Sequence, residues 1–129
     1  LKGFDKDAFE NVHQSGGQVT SIRLNPFKIK NISEAVSISE NIDGKIPWTS
    51  QGYYLSQRPS FTLDPTFHSG AYYVQEASSM FLEEALKQTI DLAEPLKVLD
   101  LCAAPGGKST HIASLINKES LLSILDDIF

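Results

Sequence analysis

Residues Val98 to Ser109, VLDLCAAPGGKS, place chemistry-bearing types in a suggestive order. A mainly apolar stretch runs straight into a turn of small residues, and a helical pattern follows. In open α/β sheets, ligands bind at the carboxyl ends of strands in this way. Ala103, Ala104, Gly106 and Gly107 have almost no side chain, so a ligand can approach the backbone closely. Gly106 and Gly107 can also take positive φ. A helix beginning there offers unpaired N–H groups and a positive dipole end, which suit a carboxylate or phosphate. Asp126 follows Gly106 by 20 residues and ends the next apolar stretch. Dinucleotide-type folds carry at that point the acid that hydrogen-bonds ribose hydroxyls. Asp127 is the neighbouring candidate. The candidate ligand-binding set is therefore Cys102, Ala103, Ala104, Pro105, Gly106, Gly107, Lys108 and Asp126.

The ligand can be narrowed by what is missing. No GxGxxG stands here, so a nicotinamide or flavin fingerprint is not supported. Gly107-Lys108-Ser109 matches the end of a P-loop, but Cys102 occupies the position of its first glycine. Pro105 also removes an N–H from any phosphate cradle. A P-loop-like nucleotide-binding protein is accordingly an alternative, as is a non-catalytic RNA-binding fragment. Cys102 is the only cysteine. It excludes an internal disulfide and fits a reducing, cytoplasmic setting. A helix-end position can activate a thiol, but a nucleophile within the loop would crowd the ligand. Cys102 is read as packing or lining the loop, and no catalytic residue is assigned. His13, His68 and His111 show no ligand spacing, so no metal site is expected.

The elements that must position this loop follow from periodicity. Leu96–Leu101 reads as a strand buried on both faces, Ser109–Ile116 as a helix and Ser120–Leu125 as a second strand. Gln75–Ile90 reads as a long helix. Ala77, Met80, Phe81, Ala85 and Leu86 form its apolar stripe, with Glu83, Glu84 and Lys87 largely outside it. Helix, strand, loop, helix, strand is the opening of a doubly wound α/β domain, assigned to 75–129. Upstream, Asp5–His13 reads as a helix capped by Asp5. Val19–Leu24 reads as a strand, and Asn41–Gly44 as turn chemistry. These form a small α+β module over 1–46. The segment 47–74 holds seven of the twelve aromatics among prolines and glycines. It reads as short strands and turns connecting the two parts. Its aromatics either pack a core or line a cleft where bases stack.

Composition sets the outer limits. The chain has 129 residues, 41% of them hydrophobic, enough to bury a core. No apolar run approaches the roughly 20 residues of a membrane helix, and no signal-peptide pattern is visible. The net charge of −5 argues against a uniformly basic nucleic-acid binder. The charge is uneven. Residues 1–60 carry 7 basic and 6 acidic side chains, and residues 61–129 carry 4 and 10. Any nucleic-acid contact is therefore expected near Arg23, Lys28, Lys30 and Arg58.

VLDLCAAPGGKS resembles the cofactor motif of the Sun-type RNA 5-methylcytosine methyltransferases. SIRLNPFK (Ser21–Lys28) resembles the Arg-x-Asn-x-x-Lys element of that family's N-terminal module. GAYYVQEASSMF (Gly70–Phe81) resembles the helix start before its cofactor motif, and Pro47–Gly70 is most similar to the bacterial subgroup acting on ribosomal RNA. The resemblance implies a Rossmann-like S-adenosylmethionine-dependent methyltransferase domain, of which the first half is present, with RNA as substrate. It implies that Cys102–Lys108 wrap the methionine and adenosine parts of S-adenosylmethionine and that Asp126 meets the ribose. Family catalysis needs a cysteine thiolate attacking cytosine C6 and a base removing the C5 proton. The family places that work in later motifs, so this chain alone is expected to be inactive. The single methionine, Met80, fits a portion of a longer enzyme. A pair of strands with uncovered edges and faces is expected to self-associate.

Overall fold

The computed structural model describes residues 3–14 and 19–125. Its first element, α1 (Lys6–Gln14), begins where the Asp5 carboxylate accepts the Ala8 N–H at 2.9 Å. That is the cap its sequence leads one to expect. The Phe9 ring lies 4.1 Å from that of His13 and 5.5 Å from that of Phe4. None of the α1 residues is buried.

Four antiparallel strands follow: β1 (Thr20–Leu24), β2 (Ile42–Lys45), β3 (Gly52–Leu55) and β4 (Tyr72–Val74), in the spatial order β2-β3-β1-β4. β1 lies between β3 and β4, and all five of its residues are buried. Alternation sends Ile22 and Leu24 to one face. There they meet Ile29, Ala35, Ile38, Leu55, Ala71 and Tyr72 in the larger core cluster. Two short helices, α2 (Val36–Ser39) and α3 (Pro65–His68), belong to this part. Asp64 caps α3 through the Thr66 N–H at 2.8 Å. The same carboxylate accepts the hydroxyls of Ser37, Thr66 and Tyr72. It thereby ties α2 and α3 to β4.

Two sequence expectations are corrected here. Asn41–Gly44, read as a turn, lies largely within β2. The pairing shifts between Ile42–Leu55 and Gly44–Tyr54, and this bulge accommodates Asp43. Asn, Asp and Gly favour turns, but a bulge accepts the same residue types. Gln75–Ile90 is not one continuous α-helix. The Gln75 N–H still pairs with the Ser21 carbonyl at 3.2 Å, extending the β1–β4 pairing. A 3-10 turn at Ser78–Phe81 precedes α4 (Leu82–Thr89).

The aromatic-rich stretch supplies β3 and β4. Phe61, Phe67 and Tyr72 pack together, with ring centres 5.7–6.2 Å apart. Trp48 and Tyr54 pack instead on a second cluster of Ile46, Ala77 and Met80.

Beyond α4, β5 (Lys97–Asp100), α5 (Gly107–Leu115) and β6 (Leu121–Ile124) form a strand–helix–strand unit. Its two strands are parallel, pairing Lys97 with Leu121 through Asp100 with Ile124. The architecture is thus mixed α and β: an antiparallel sheet module followed by the opening of a parallel, Rossmann-like sheet. Among the described residues, no helix is long and apolar enough to cross a membrane, and no cluster of three or more His, Cys, Asp or Glu side chains could hold a metal.

Candidate functional site

The loop between β5 and α5 is pinned from inside by one carboxylate. Asp100 ends β5 and accepts the Ser109 hydroxyl at 2.6 Å and the Cys102 N–H at 3.1 Å. These hydrogen bonds, the Ser109 one foremost, hold its carboxyl below the usual range. Asp100 thereby joins the entry of the loop to the first turn of α5. Within the loop, the Gly106 N–H donates to the Ala103 carbonyl at 2.6 Å. The Ala103 N–H reaches the Leu125 carbonyl at 3.3 Å, just past β6. The Ala104–Pro105 peptide is cis.

Gly106 precedes α5 at φ 96°, a left-handed conformation that side chains other than glycine's rarely adopt. A Cβ placed there would meet no atom within 4 Å. Backbone conformation and open space both explain the glycine. Gly107 is different: its Cβ would lie 3.4 Å from Cε1 of Tyr73. Cys102, Ala104, Pro105 and Lys108 are exposed, while Ala103, Gly106 and Gly107 are half-buried. The loop is thus open to solvent. Asp126, with its alternative Asp127, lies outside the described residues.

The antiparallel sheet grips this loop from the face opposite its core. The Tyr73 hydroxyl donates to the Pro105 carbonyl at 2.9 Å. Arg23, only 3% exposed, donates through Nε to Gln75 Oε1 at 2.8 Å and through Nη2 to Thr110 Oγ1 at 2.8 Å. Nη2 also lies 3.4 Å from the Gly107 carbonyl. Burial lowers the Arg23 pKa to about 10, against the opposing pull of Glu83 and Tyr73, so the guanidinium stays cationic at neutral pH. This corrects the expectation that Arg23 forms part of an exposed RNA-contacting patch. Its charge is spent inside the protein.

A second anchor joins α4 to α5. Glu83 is fully buried, not on the solvent side of its helix. Its carboxylate accepts Thr49 Oγ1 at 2.6 Å, the Ser50 N–H at 3.0 Å and Lys87 Nζ at 2.6 Å, and it lies 3.1 Å from His111 Nε2. Burial disfavours its charge, but the hydrogen bonds, His111 first, outweigh that and hold the carboxyl well below the usual range. Sequence reading missed Arg23, Gln75, Glu83, Thr110 and His111 as anchors. The available signals were an arginine inside an otherwise apolar and hydroxyl strand, and Thr-His in the second turn of the loop helix.

Next to this seam lies a cleft of about 790 Å³ whose walls include Trp48, Tyr54, Arg58, Gln75, Glu76 and Ser78. Gln75 belongs both to the cleft and to the anchor of the loop. Arg58 reaches the cleft, while His68 lies 2.8 Å from the Thr62 carbonyl through Nε2.

A glycine-kinked loop at the carboxyl end of a parallel strand, gripped by a separate antiparallel module, defines a two-part protein of Rossmann-like type. Residues 1–77 match the family model for the N-terminal domain of 16S rRNA methyltransferase RsmF, and residues 87–127 match that of 16S rRNA methyltransferase RsmB/F. The chain belongs to the RsmF family. Ribosomal RNA small subunit methyltransferase F of Shewanella woodyi is 36% identical over 108 residues, covering 79% of this chain and 22% of the relative. The protein of the same name from Aeromonas salmonicida is also 36% identical over 108 residues, with the same two coverages. The chain therefore spans about a fifth of the length of these relatives. Among solved structures, that of PH0851 aligns with a TM-score of 0.70 and 25% identity, over 95% of this chain and 28% of that one.

Proposed function

We propose that this chain carries the cofactor loop and part of the RNA-positioning module of an S-adenosylmethionine-dependent methyltransferase that modifies C5 of cytosine in ribosomal RNA, in the cytoplasm. The observation carrying this reading is the open space beside Gly106, at the head of α5 and at the carboxyl end of β5. A ligand can lie against the backbone at Gly106 there without displacing a side chain. When bound, S-adenosylmethionine supplies an electrophilic methyl group.

The chain's own residues bind and orient. Ala103, Ala104, Gly106 and Gly107 keep the loop thin, and the head of α5 favours the cofactor's carboxylate. Asp126 is the proposed ribose acid. Asp100 fixes the loop's shape from behind. Arg23 and Tyr73 fix its distance from the module that meets RNA. Cys102 lines the loop; it is not the group that attacks the base. Residues 1–46 belong to the RNA-positioning module, 47–74 connect it, and 75–129 open the cofactor-binding domain.

Calorimetry with S-adenosylhomocysteine, and separately with ATP and Mg²⁺, tests the assignment. Binding of the first and not the second is expected. ATP binding in its place would return the loop to the nucleotide-binding class.

A further inference from the structure

We propose that the cleft between Trp48, Tyr54, Arg58 and Gln75 seats a nucleotide of single-stranded RNA that flanks the methylated base. The inference rests on the RNA reading above and adds to it a place and a set of contacts. The cleft's volume, about 790 Å³, lies within the range of sites that take small organic groups, roughly 300–1,000 Å³.

Its walls suit a base and a phosphate. The Trp48 ring is fixed, because Nε1 donates to the Ala77 carbonyl at 2.8 Å and the edge of Phe81 packs on it at 6.1 Å. Tyr54 is backed by the Ile46–Met80 cluster, and its hydroxyl makes no hydrogen bond among the described residues. Two held aromatic rings give a base a stacking surface with little ordering cost. Arg58 is exposed, forms no ion pair among the described residues, and has its guanidinium 5.4 Å from the Phe61 ring centre. It is placed to take a phosphate oxygen while leaning on that ring. Glu76, exposed on another wall, is an acceptor for an exocyclic amino group of a base.

One side chain connects this cleft to the loop. Gln75 is 7% exposed, and its Nε2 is buried without a partner, a donor left over once Oε1 has taken the Arg23 Nε–H. That atom is buried beside Gly107, 3.9 Å from where a Cβ there would stand, and so belongs to the loop side of Gln75. Gln75 is also the side chain shared with the loop anchor, since the guanidinium it holds reaches Thr110 and the Gly107 carbonyl. An RNA strand seated in the cleft is thereby linked to the proposed cofactor loop through two side chains, Gln75 and Arg23.

Trp48 is the chain's only tryptophan, so its fluorescence reports on this cleft directly. The full chain is titrated with a single-stranded RNA of about 12 nucleotides carrying an end label, and anisotropy of the label is read beside Trp48 emission. Saturable quenching of Trp48 in step with the anisotropy is expected. Arg58→Glu should weaken binding roughly tenfold, and Arg58→Lys should restore most of it. Lys118→Ala, in the turn after α5 and outside the cleft lining, should change nothing. RNA binding with Trp48 emission unmoved and Arg58→Glu without effect would overturn the cleft while leaving the RNA reading intact. No anisotropy change at any RNA concentration would overturn both. Quenching by an unrelated acidic peptide as strong as that by RNA would assign the cleft to a protein partner and overturn the proposal.

Discussion

His111 Nε2 lies 3.1 Å from Glu83 Oε2, with neither side chain more than 1% exposed. The contact joins α4 to the helix that begins at the β5–α5 loop. Because the Glu83 carboxylate also holds Thr49, Ser50 and Lys87, removing it leaves several donors without an acceptor. Glu83→Ala is expected to destabilise the chain by about 3–5 kcal/mol, the cost of breaking a buried polar pair from one side. Glu83→Gln should fall short of wild type too, since its amide N–H₂ faces donors. Urea unfolding followed by circular dichroism measures both. A shift under about 0.5 kcal/mol for Glu83→Ala, the range of ordinary surface changes, would show that the network contributes nothing.

The same carboxylate sets a pH dependence, together with Asp64. Both have folded-state pKa values depressed below their ordinary ones: burial pushes up, but for Asp64 the hydroxyls of Ser37, Thr66 and Tyr72 win, and for Glu83 its four partners do. A depressed carboxylate stabilises the fold above its unfolded pKa, and that stability is lost as pH falls through the unfolded value towards the folded one. The unfolding midpoint should therefore be flat from pH 7 to about 5.5 and fall steadily below about pH 5. Asp64→Asn should lower stability at pH 7 and flatten the acid slope. A variant as steep as wild type would remove Asp64 from the account.

Why the loop was legible and its anchors were not is a matter of range. VLDLCAAPGGKS carries its own signals: an apolar strand, small residues, a glycine at a forced φ and a helix start, all within 12 residues. The observed β5, α5 and β6 each fall within two residues of the reading from periodicity. Arg23 and Thr110 are 87 residues apart, and Glu83 and His111 are 28 apart. No local pattern says that an arginine in a strand, or a glutamate among helix-surface charges, will be buried against a helix that comes later. β2 was hidden for another reason, since its Asn-Ile-Asp-Gly composition serves a bulge as well as a turn. The fate of the aromatics was split by packing: Phe61, Phe67 and Tyr72 went to the core, Trp48 and Tyr54 to a cleft wall.

Two glycines make opposite predictions. At Gly106 a side chain meets empty space but a strained backbone, so Gly106→Ala should cost about 1 kcal/mol of stability. Gly106→Val should reduce S-adenosylhomocysteine affinity more than tenfold, because its side chain fills the space proposed for the ligand. Calorimetry on the folded variant decides; unchanged affinity would remove the loop assignment. At Gly52 the space itself is missing. A Cβ would lie 2.3 Å from Thr49 Cγ2 and 2.7 Å from Met80 Sδ. Gly52→Ala should destabilise by about 1–3 kcal/mol through overpacking, with cofactor affinity per folded molecule unchanged.

The last prediction concerns the parallel pair. β5 and β6 hydrogen-bond to each other in a two-stranded sheet, and Leu99, Leu101, Leu121, Ile124 and Leu125 are each 55–61% exposed. Parallel strands are ordinarily covered on both faces and flanked at their edges. The antiparallel module has no such deficit, since its central strand is buried throughout. The exposed apolar residues of the β5–β6 unit should therefore drive self-association as concentration rises. Leu121→Lys with Ile124→Lys should reduce association, adding like charges to an exposed apolar strand without touching the loop anchors. Light scattering across a concentration series checks the first point, and the same series on the double variant checks the second. Hydrogen exchange should then show protection at Ile22 and Leu24 exceeding that at Leu121–Ile124 in dilute solution. A monodisperse monomer at high concentration, with β6 as protected as β1, would show that two strands suffice and that these leucines need no cover.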